Sequence, residues 1–255
     1  MSHRDQPMVD SLAVAFPHEA FGSPDLYASG VCIPDDPDVI TPAIRNAILA
    51  GVFEAREARR IPEVVQAGDR VLEIGAGIGF ISTLLARQEG VRTVLAVEAN
   101  PHLMDYMARL HAANGVRGVR RMNVVLSDAA ETGSATFYLR RDFWMGSLMA
   151  GPNPHVGTVE VPTRNFSALL RDEAITLIVC DVEGAESFIF DDADLGGVDR
   201  VFLELHDHIT GLSGVSAVFR TLAAKGFVYD PRHSDGGVVL FRRLRFPEIM
   251  RPYAG

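Results

Sequence analysis

Short apolar runs alternate with amphipathic stretches along most of the chain after residue 70. The runs are rich in Val, Ile and Leu, and each ends at a glycine or a polar residue, which is typical of strands buried on both faces. Stretches with apolar residues at helical spacing lie between them. The pattern predicts seven strands, at 71–74, 93–98, 121–126, 176–181, 200–204, 227–230 and 238–243, and helices at 80–88, 101–113, 167–172, 186–190 and 215–225.

Regular alternation of strand and helix with short connections favours a parallel sheet covered by helices on both faces. The last two predicted strands are joined by residues 231–237 alone, without a helix between them. Such a short connection can join only antiparallel neighbours. We therefore expect an α/β fold with a seven-stranded, mostly parallel sheet whose last strand is antiparallel.

Two segments depart from this alternation. Residues 1–37 look like an irregular arm, whereas 39–60 is Ala-rich with Ile40, Ile44 and Ile48 at helical spacing, and reads as one helix or two short ones before a short helix at 61–67. Residues 135–140 and 158–163 alternate like the strands of a hairpin around a long loop. The expected division is an N-terminal arm and helical extension (1–60), a main domain (61–245) that contains the hairpin insertion (134–163), and a C-terminal tail (246–255).

Composition narrows the functional classes. The 255 residues suit one domain with an appendage, and the two cysteines form no disulfide framework. No secretory h-region or membrane-length apolar run is present, so we expect a cytoplasmic protein without a membrane partner. The net charge of −9 argues against a nucleic-acid partner. The arm and the hairpin are candidate elements of a homo-oligomer.

The most informative motif is a strand that runs directly into three glycines. Gly75, Gly77 and Gly79 follow the first strand, and Glu98 ends the second. Glycines at such a turn let a ligand approach the backbone, and a carboxylate at the next strand end can accept hydrogen bonds from ribose hydroxyls. The spacing G-x-G-x-G differs from the dinucleotide fingerprint G-x-G-x-x-G and looks like the first motif of S-adenosylmethionine (SAM) methyltransferases. The alternative is a tight strand-to-helix turn without a ligand.

Five segments carry short motifs, at 72–79, 97–101, 125–128, 181–186 and 202–206, and the most specific is the run Asp-Val-Glu-Gly-Ala-Glu at 181–186. Together, over roughly residues 50–243, they resemble the FkbM-type SAM-dependent methyltransferases. The chain departs from that family at Val179-Cys180, where the family usually has a lysine-containing pair before the run.

The resemblance implies a Rossmann-like class I methyltransferase fold and transfer of a methyl group from SAM to a hydroxyl oxygen. The acceptor would be a sugar, a natural product or another small molecule. Two alternatives stay open: a SAM- or SAH-binding regulatory or partner protein without catalysis, and an N-methyltransferase on the same fold. The glycine spacing argues against a nicotinamide oxidoreductase.

The candidate cofactor site follows the glycine turn. Glu98 is the expected ribose ligand, and Asp128 resembles the residue that holds the adenine amino group, with Ser127 assisting. Glu73 could place the methionine amino group or be a buried, satisfied carboxylate, and Glu54 could face the cofactor or solvent. The full expected set is Glu54, Glu73, Gly75, Ala76, Gly77, Gly79, Glu98, Ala99, Asn100, Ser127, Asp128 and Asp181.

The candidate catalytic residues are Asp181, Glu183 and His206. Asp181 and His206 end two strands that are neighbours of the first strand in the family's order, so both should reach the rim near Gly75. Either could be the base, whereas Glu186 is expected to start the next helix. A magnesium ion held by Asp181, Glu183, Asp207 and His208 is an alternative but not expected. Trp144, Met145 and Ser147 are expected to cover the acceptor.

Overall fold

A computed structural model describes residues 25–128 and 133–244 of the chain. Most of the predicted N-terminal arm and the predicted tail at 246–255 lie outside these residues. The strands are β1 Leu26–Ala28, β2 Val31–Ile33, β3 Arg70–Ile74, β4 Thr93–Val97, β5 Val119–Met122, β6 Val125–Leu126, β7 Ser134–Leu139, β8 Gly157–Arg164, β9 Leu177–Cys180, β10 Arg200–Glu204, β11 Phe227–Tyr229 and β12 Val238–Arg243; the α-helices are α1 Pro42–Leu49, α2 Ala55–Val64, α3 Phe80–Ala86, α4 Met104–Ala113, α5 Phe166–Asp172 and α6 Asp207–Ala224.

A seven-stranded sheet with the order β11-β12-β10-β9-β3-β4-β5 forms the centre of the fold. The five strands from β10 to β5 are parallel to one another, and β12 is antiparallel to both β10 and β11. Strand order reverses between β3 and β9, which is where α/β folds bind ligands beyond the strand ends. The predicted class I methyltransferase fold is confirmed.

Helices cover both faces of this sheet, because successive strand residues point to opposite sides. Val71 packs into a core with α1, α2, α3 and α4, whereas Leu72 and Ile74 pack into a second core with α5 and α6. Glu73 lies on the first face and is only 3% exposed. A carboxylate therefore occupies a strand position where an apolar residue is the rule.

The third predicted strand, at 121–126, is two separate strands in the structure, β5 and β6. β5 stays in the main sheet, but β6 pairs with β8 in a separate three-stranded sheet that also contains β7. Between them the Asn123 amide donates to the backbone carbonyls of Glu98 (2.8 Å) and Ala99 (2.9 Å). These bonds turn the chain away from the main sheet and bring the predicted hairpin over the ends of β3 and β4.

Several predictions of local structure differ from the structure. Residues 61–64, predicted to begin a separate short helix at 61–67, are the end of α2. The segment predicted as a helix at 186–190 is a single 3-10 turn, Ala185–Ser187. Helix α6 begins eight residues earlier than predicted, at Asp207, and contains a non-helical kink at Gly211. The predicted irregular arm contains the β1–β2 hairpin. Apolar periodicity is weak over three to five residues, so such short elements depend on their contacts.

The two N-terminal helices lie at the edge of the site. Thr41 caps α1, and its hydroxyl also donates to the carboxylate of Asp142 in the loop between β7 and β8. Glu54 precedes α2 with a left-handed φ of 44°, an unusual conformation for a residue with a side chain. None of the helices in the described parts of the chain has the length and apolarity that crossing a bilayer requires.

Candidate active site

The glycine turn after β3 has left-handed φ angles at Gly75 (83°), Gly77 (51°) and Gly79 (86°). It is tied to the end of β4, because Gly75 N–H and Ala76 N–H both donate to the carbonyl of Val97 (2.9 and 3.0 Å). Bare backbone therefore faces a cleft of about 720 Å³ that lies at the reversal of strand order.

Glu98 holds this turn from the side of β4. Its Oε2 accepts from Gly77 N–H (2.7 Å) and its Oε1 from Asn100 N–H (2.6 Å). Burial raises the pKa of Glu98 to about 7, against the hydrogen bonds from Asn100 and Gly77, which lower it. Each carboxylate oxygen has a second lone pair, so Glu98 can still accept from a ribose while it shapes the turn.

Replacing Glu98 by glutamine is expected to weaken SAM binding about ten- to a hundred-fold, because an amide cannot reproduce the charge-assisted bonds of a carboxylate. Isothermal titration calorimetry with SAM and SAH measures the loss. Glu160→Gln is the matched control, since Glu160 is exposed on the hairpin and accepts from Ser134 and Thr136. Equal affinities for Glu98→Gln and the control would remove Glu98 from the cofactor site.

One end of the cleft is apolar. Its apolar lining comes from the chain around β6, from the hairpin and from the segment after β9. Such a lining suits a flat heteroaromatic ring. The apolar residues at this end are Val124, Val125, Leu126, Phe137, Leu148, Val182 and Ile189.

The loop between β7 and β8 closes the cleft. The ring of Phe143 lies over Gly77, 3.4 Å from where a Cβ on that glycine would be. Trp144 also lines the cleft and stacks on Phe53 at 6.1 Å between ring centroids. Met145 is not among the lining residues, and Ser147 is buried, donating to the carbonyl of Glu183 (2.7 Å). Of the three predicted cover residues, only Trp144 faces the cleft.

The structure places three predicted cofactor ligands outside the main cleft. Asp128 accepts from the backbone N–H and hydroxyl of Ser167 and so caps the start of α5. It lines, with Ser127, a neighbouring groove rather than the main cleft. The side chain of Asn100 accepts from His102 N–H (3.1 Å) in its own turn. Asp128 was predicted from family position alone, and its carboxylate is satisfied by the helix instead.

A cluster of four carboxylates surrounds His206 where β9 and β10 end. The distances from its Nε2 are 3.4 Å to Asp181 Oδ1, 3.6 Å to Glu183 Oε1 and 3.8 Å to Glu204 Oε2. On the other side, Nδ1 lies 3.2 Å from Glu186 Oε1. Asp181 and Glu183 line the cleft, whereas His206 is only 3% exposed and does not.

The groups of this cluster shift one another's pKa values. Burial alone would lower the pKa of His206, but the bond to Glu186 and the charges of Asp181 and Glu183 raise it to about 10. Burial raises the pKa of Asp181 to about 7, although His206 opposes this. An imidazole that is buried behind the carboxylates cannot reach an acceptor in the cleft, which leaves Asp181 and Glu183 as the groups placed to contact one.

A smaller cavity of about 360 Å³ continues from Asp181 beneath the glycine turn. Glu54 lines both spaces, and Glu57, Glu73 and Glu204 line the smaller one. Burial raises the pKa of Glu73 to about 8 and raises that of Glu54 well above its usual range. The raised pKa values show that this chamber crowds buried acidic groups that hold their protons more tightly than usual. A cationic ligand, such as the sulfonium and ammonium groups of SAM, would favour their ionised forms.

Sequence reasoning missed three of these acidic residues. Glu186 does not start a helix: its carboxylate accepts from Gly184 N–H (2.8 Å) and His206 N–H (2.9 Å). Glu57 belongs to α2, and Glu204 is the last residue of β10. A charged residue at the end of the apolar run 201–203 was the available signal for Glu204.

Comparison with known families gives a match to part of the chain. A model described as the TRM5/TYW2 methyltransferase domain matches residues 47–140, less than half of the chain, and this stretch contains the glycine turn and Glu98. A comparison with curated proteins finds no match.

Solved structures with a similar fold include several methyltransferases. The ribosomal protein L11 methylase of Lactobacillus delbrueckii subsp. bulgaricus is 14% identical, with a TM-score of 0.47 over 76% of this chain and 80% of that one. A putative tRNA (m1A22) methyltransferase of Streptococcus pneumoniae in complex with SAM is 11% identical, with a TM-score of 0.47 over 78% and 75%. Trm5b of Pyrococcus abyssi is 13% identical, with a TM-score of 0.45 over 85% and 54%.

These comparisons correct four expectations. The expected FkbM-type family is wrong, because the matching family model is TRM5/TYW2. The expected small-molecule acceptor and the expected O-methylation were implied by that family, and both are contradicted with it. The exclusion of a nucleic-acid partner is also contradicted. It rested on net charge, which averages over the whole surface and says little about one face. SAM as the cofactor is confirmed.

Proposed function

We propose that this chain is a SAM-dependent enzyme that methylates a ring nitrogen of a tRNA base. The observation that carries the proposal is the match of the TRM5/TYW2 methyltransferase domain to residues 47–140. That stretch holds the cofactor half of the site, namely the glycine turn with Glu98. The N-methyltransferase alternative from the sequence is thus the one retained.

The chemistry of the cleft fits such an acceptor. Methyl transfer is an in-line displacement in which the nitrogen lone pair attacks the methyl carbon, the carbon–sulfur bond breaks and SAH leaves. Base edges carry N–H groups beside their ring nitrogens, and carboxylates accept from such groups. Asp181 and Glu183 line the cleft on the side of the β9 end. We assign Asp181 to orient the base edge and to take a proton where the nitrogen carries one.

A basic patch near the site offers contacts for phosphates. Arg56 and Arg59 are exposed on α2, and the guanidinium of Arg56 lies 3.4 Å from where a Cβ on Gly236 would be, in the turn before β12. Arginine side chains bind nucleic acids chiefly through the phosphate backbone. An RNA strand passing over α2 would place a base near Glu204 and Asp181 without its phosphates entering the acidic chamber.

The test is methyl transfer from radiolabelled SAM to a tRNA pool, followed by nucleoside analysis of the product. Label should appear in a nucleoside methylated on a ring nitrogen. Asp181→Asn should lower the rate about 10²- to 10⁴-fold and change SAH affinity less than tenfold. Asp105→Asn, in an exposed turn of α4, is the control and should leave the rate unchanged.

Three outcomes would count against the proposal. If wild-type protein binds SAM and leaves every tRNA unlabelled, the RNA acceptor is wrong. Label on a ribose oxygen would overturn the choice of nitrogen. An unchanged rate in Asp181→Asn would remove Asp181 from the reaction. A cytoplasmic location agrees with a tRNA substrate and is part of the proposal.

A further inference from the structure

The His206 cluster has the spacing of ligands around one ion. Its Nε2 lies 3.4 to 3.8 Å from oxygens of Asp181 and Glu204, and ligand atoms of all three residues lie within 4.8 Å of one another. Hydrogen bonds between nitrogen and oxygen are shorter, about 2.7–3.2 Å. Two ligands at about 2.0–2.2 Å from a common metal ion are about 3.4 Å apart at a tetrahedral angle.

The imidazole of His206 is also oriented by a carboxylate, as metal-binding histidines usually are. Nδ1 faces Glu186 Oε1 at 3.2 Å, and Glu186 is itself fixed by backbone N–H groups of Gly184 and His206. A histidine that binds a metal with one nitrogen usually donates the other N–H to a carboxylate, which sets the tautomer and the ring orientation. The bond to Glu186 leaves Nε2 directed at Asp181 and Glu204.

Two buried oxygens lack a hydrogen-bond partner, and the second of them, on Glu73, lies outside the proposed ligand set and so points independently to a bound cation. Asp181 Oδ1 is inaccessible to solvent and has no hydrogen-bond partner. Glu73 lines the same cavity as Asp181 and Glu204, is only 3% exposed, and its Oε2 also has no partner. Buried carboxylate oxygens without a donor are costly, and a cation in this cavity would satisfy them.

We propose that Asp181, Glu204 and His206 bind a divalent transition-metal ion at the junction of the two cavities. The donor set of two carboxylates and one imidazole, at the spacing of a tetrahedral site, favours an ion such as Zn²⁺, which accepts both oxygen and nitrogen ligands, over Mg²⁺, which prefers oxygen alone. Mn²⁺ serves as a paramagnetic probe of the same site. Asp207 and His208, which the sequence suggested as ligands, are exposed at the start of α6 and lie outside the set.

The ion would replace the proton on His206 Nε2, since metal binding releases protons from its ligands. Its positive charge would offset the negative charges of the carboxylates beside the acceptor. As a ligand of the ion, Asp181 would also be held in place. The metal site is independent of the RNA acceptor, because it is built only from residues of this chain.

The test is titration of the full chain with Mn²⁺, followed by electron paramagnetic resonance in the absence of SAM and RNA. One Mn²⁺ should bind per chain, and Glu204→Gln should weaken binding at least tenfold. Asp207→Asn removes a neighbouring exposed carboxylate and should leave the affinity unchanged. Circular dichroism and SAH binding show whether each variant is folded.

A second measurement on the wild type needs no variant. Titration with diamagnetic Zn²⁺, observed through the ¹⁵N resonances of His206, should shift Nε2 to the range of a metal-bound nitrogen and leave a proton on Nδ1. His206 resonances that saturating Zn²⁺ leaves unshifted, or Mn²⁺ binding that Glu204→Gln leaves unchanged, would overturn the site. Methylation of tRNA can succeed or fail separately from either result.

Discussion

Gly75→Ala is expected to abolish SAM binding and to destabilise the fold by about 3–5 kcal/mol, from left-handed strain together with overpacking. A Cβ at this position would lie 1.7 Å from the carbonyl oxygen of Asp181 and 2.8 Å from its carbonyl carbon. These are backbone atoms, so no side-chain rotation can relieve the clash. Asp181 N–H also donates to the carbonyl of Ile74 (2.9 Å), so separating the two chains breaks the ladder between β3 and β9.

Gly68→Ala provides a control that isolates backbone strain. Gly68 has a φ of 94°, similar to the 83° of Gly75, but nothing lies within 4 Å of its notional Cβ. We expect a cost of about 1–2 kcal/mol there, from the left-handed conformation alone. Urea unfolding gives the free energies, and calorimetry with SAM gives the affinities. If Gly75→Ala and Gly68→Ala lowered the free energy of unfolding by similar amounts, the end of β9 would not contact the glycine turn closely in solution.

Asp69→Ala is expected to lower the free energy of unfolding by about 3–5 kcal/mol, because it leaves a buried arginine without its partner. Arg200 donates to Asp69 Oδ1 (2.6 Å) and Oδ2 (3.1 Å), and both residues are 3% exposed. Asp69 also accepts from the hydroxyl of Thr176 (2.8 Å). This ion pair joins the starts of β3, β9 and β10, the three strands whose opposite ends carry the site.

Two comparisons make that result specific, both measured by urea unfolding. Asp172→Ala removes one partner of the exposed pair Arg171–Asp172 (3.5 Å) and should cost less than about 0.5 kcal/mol. The double variant Asp69→Leu with Arg200→Met removes both buried charges and should be more stable than Asp69→Ala. If Asp69→Ala lowered the free energy of unfolding no more than Asp172→Ala does, the Asp69–Arg200 pair would not be buried away from water in the way that the structure shows.

The main sheet was predictable because its signals are local. Apolar runs of four to six residues predicted strands such as Arg200–Glu204 and Val238–Arg243 with the bounds that the structure has. The connection without a helix predicted the antiparallel last strand. The glycine turn and Glu98 were predictable for the same reason, since β3, the turn and β4 are consecutive and pair directly.

Family resemblance was a weaker guide than these local signals. It led to the wrong acceptor, and it assigned Asp128 to adenine although the start of α5 uses that carboxylate. Short segments that several methyltransferase families can share report the common fold and cofactor. They carry little information about the acceptor, which contacts loops that differ between families.

By itself, therefore, the sequence determined the fold class, the glycine turn after β3 and the place of Asp181 at the end of β9, because each depends on residues near one another along the chain. Only the tertiary structure decided that Glu183, Glu186 and Glu204 surround His206, and that Phe143 covers Gly77. These contacts join β9 to β10 and the hairpin loop to the glycine turn. Distances between such segments are set by strand order and by packing, and no local pattern of residues encodes them.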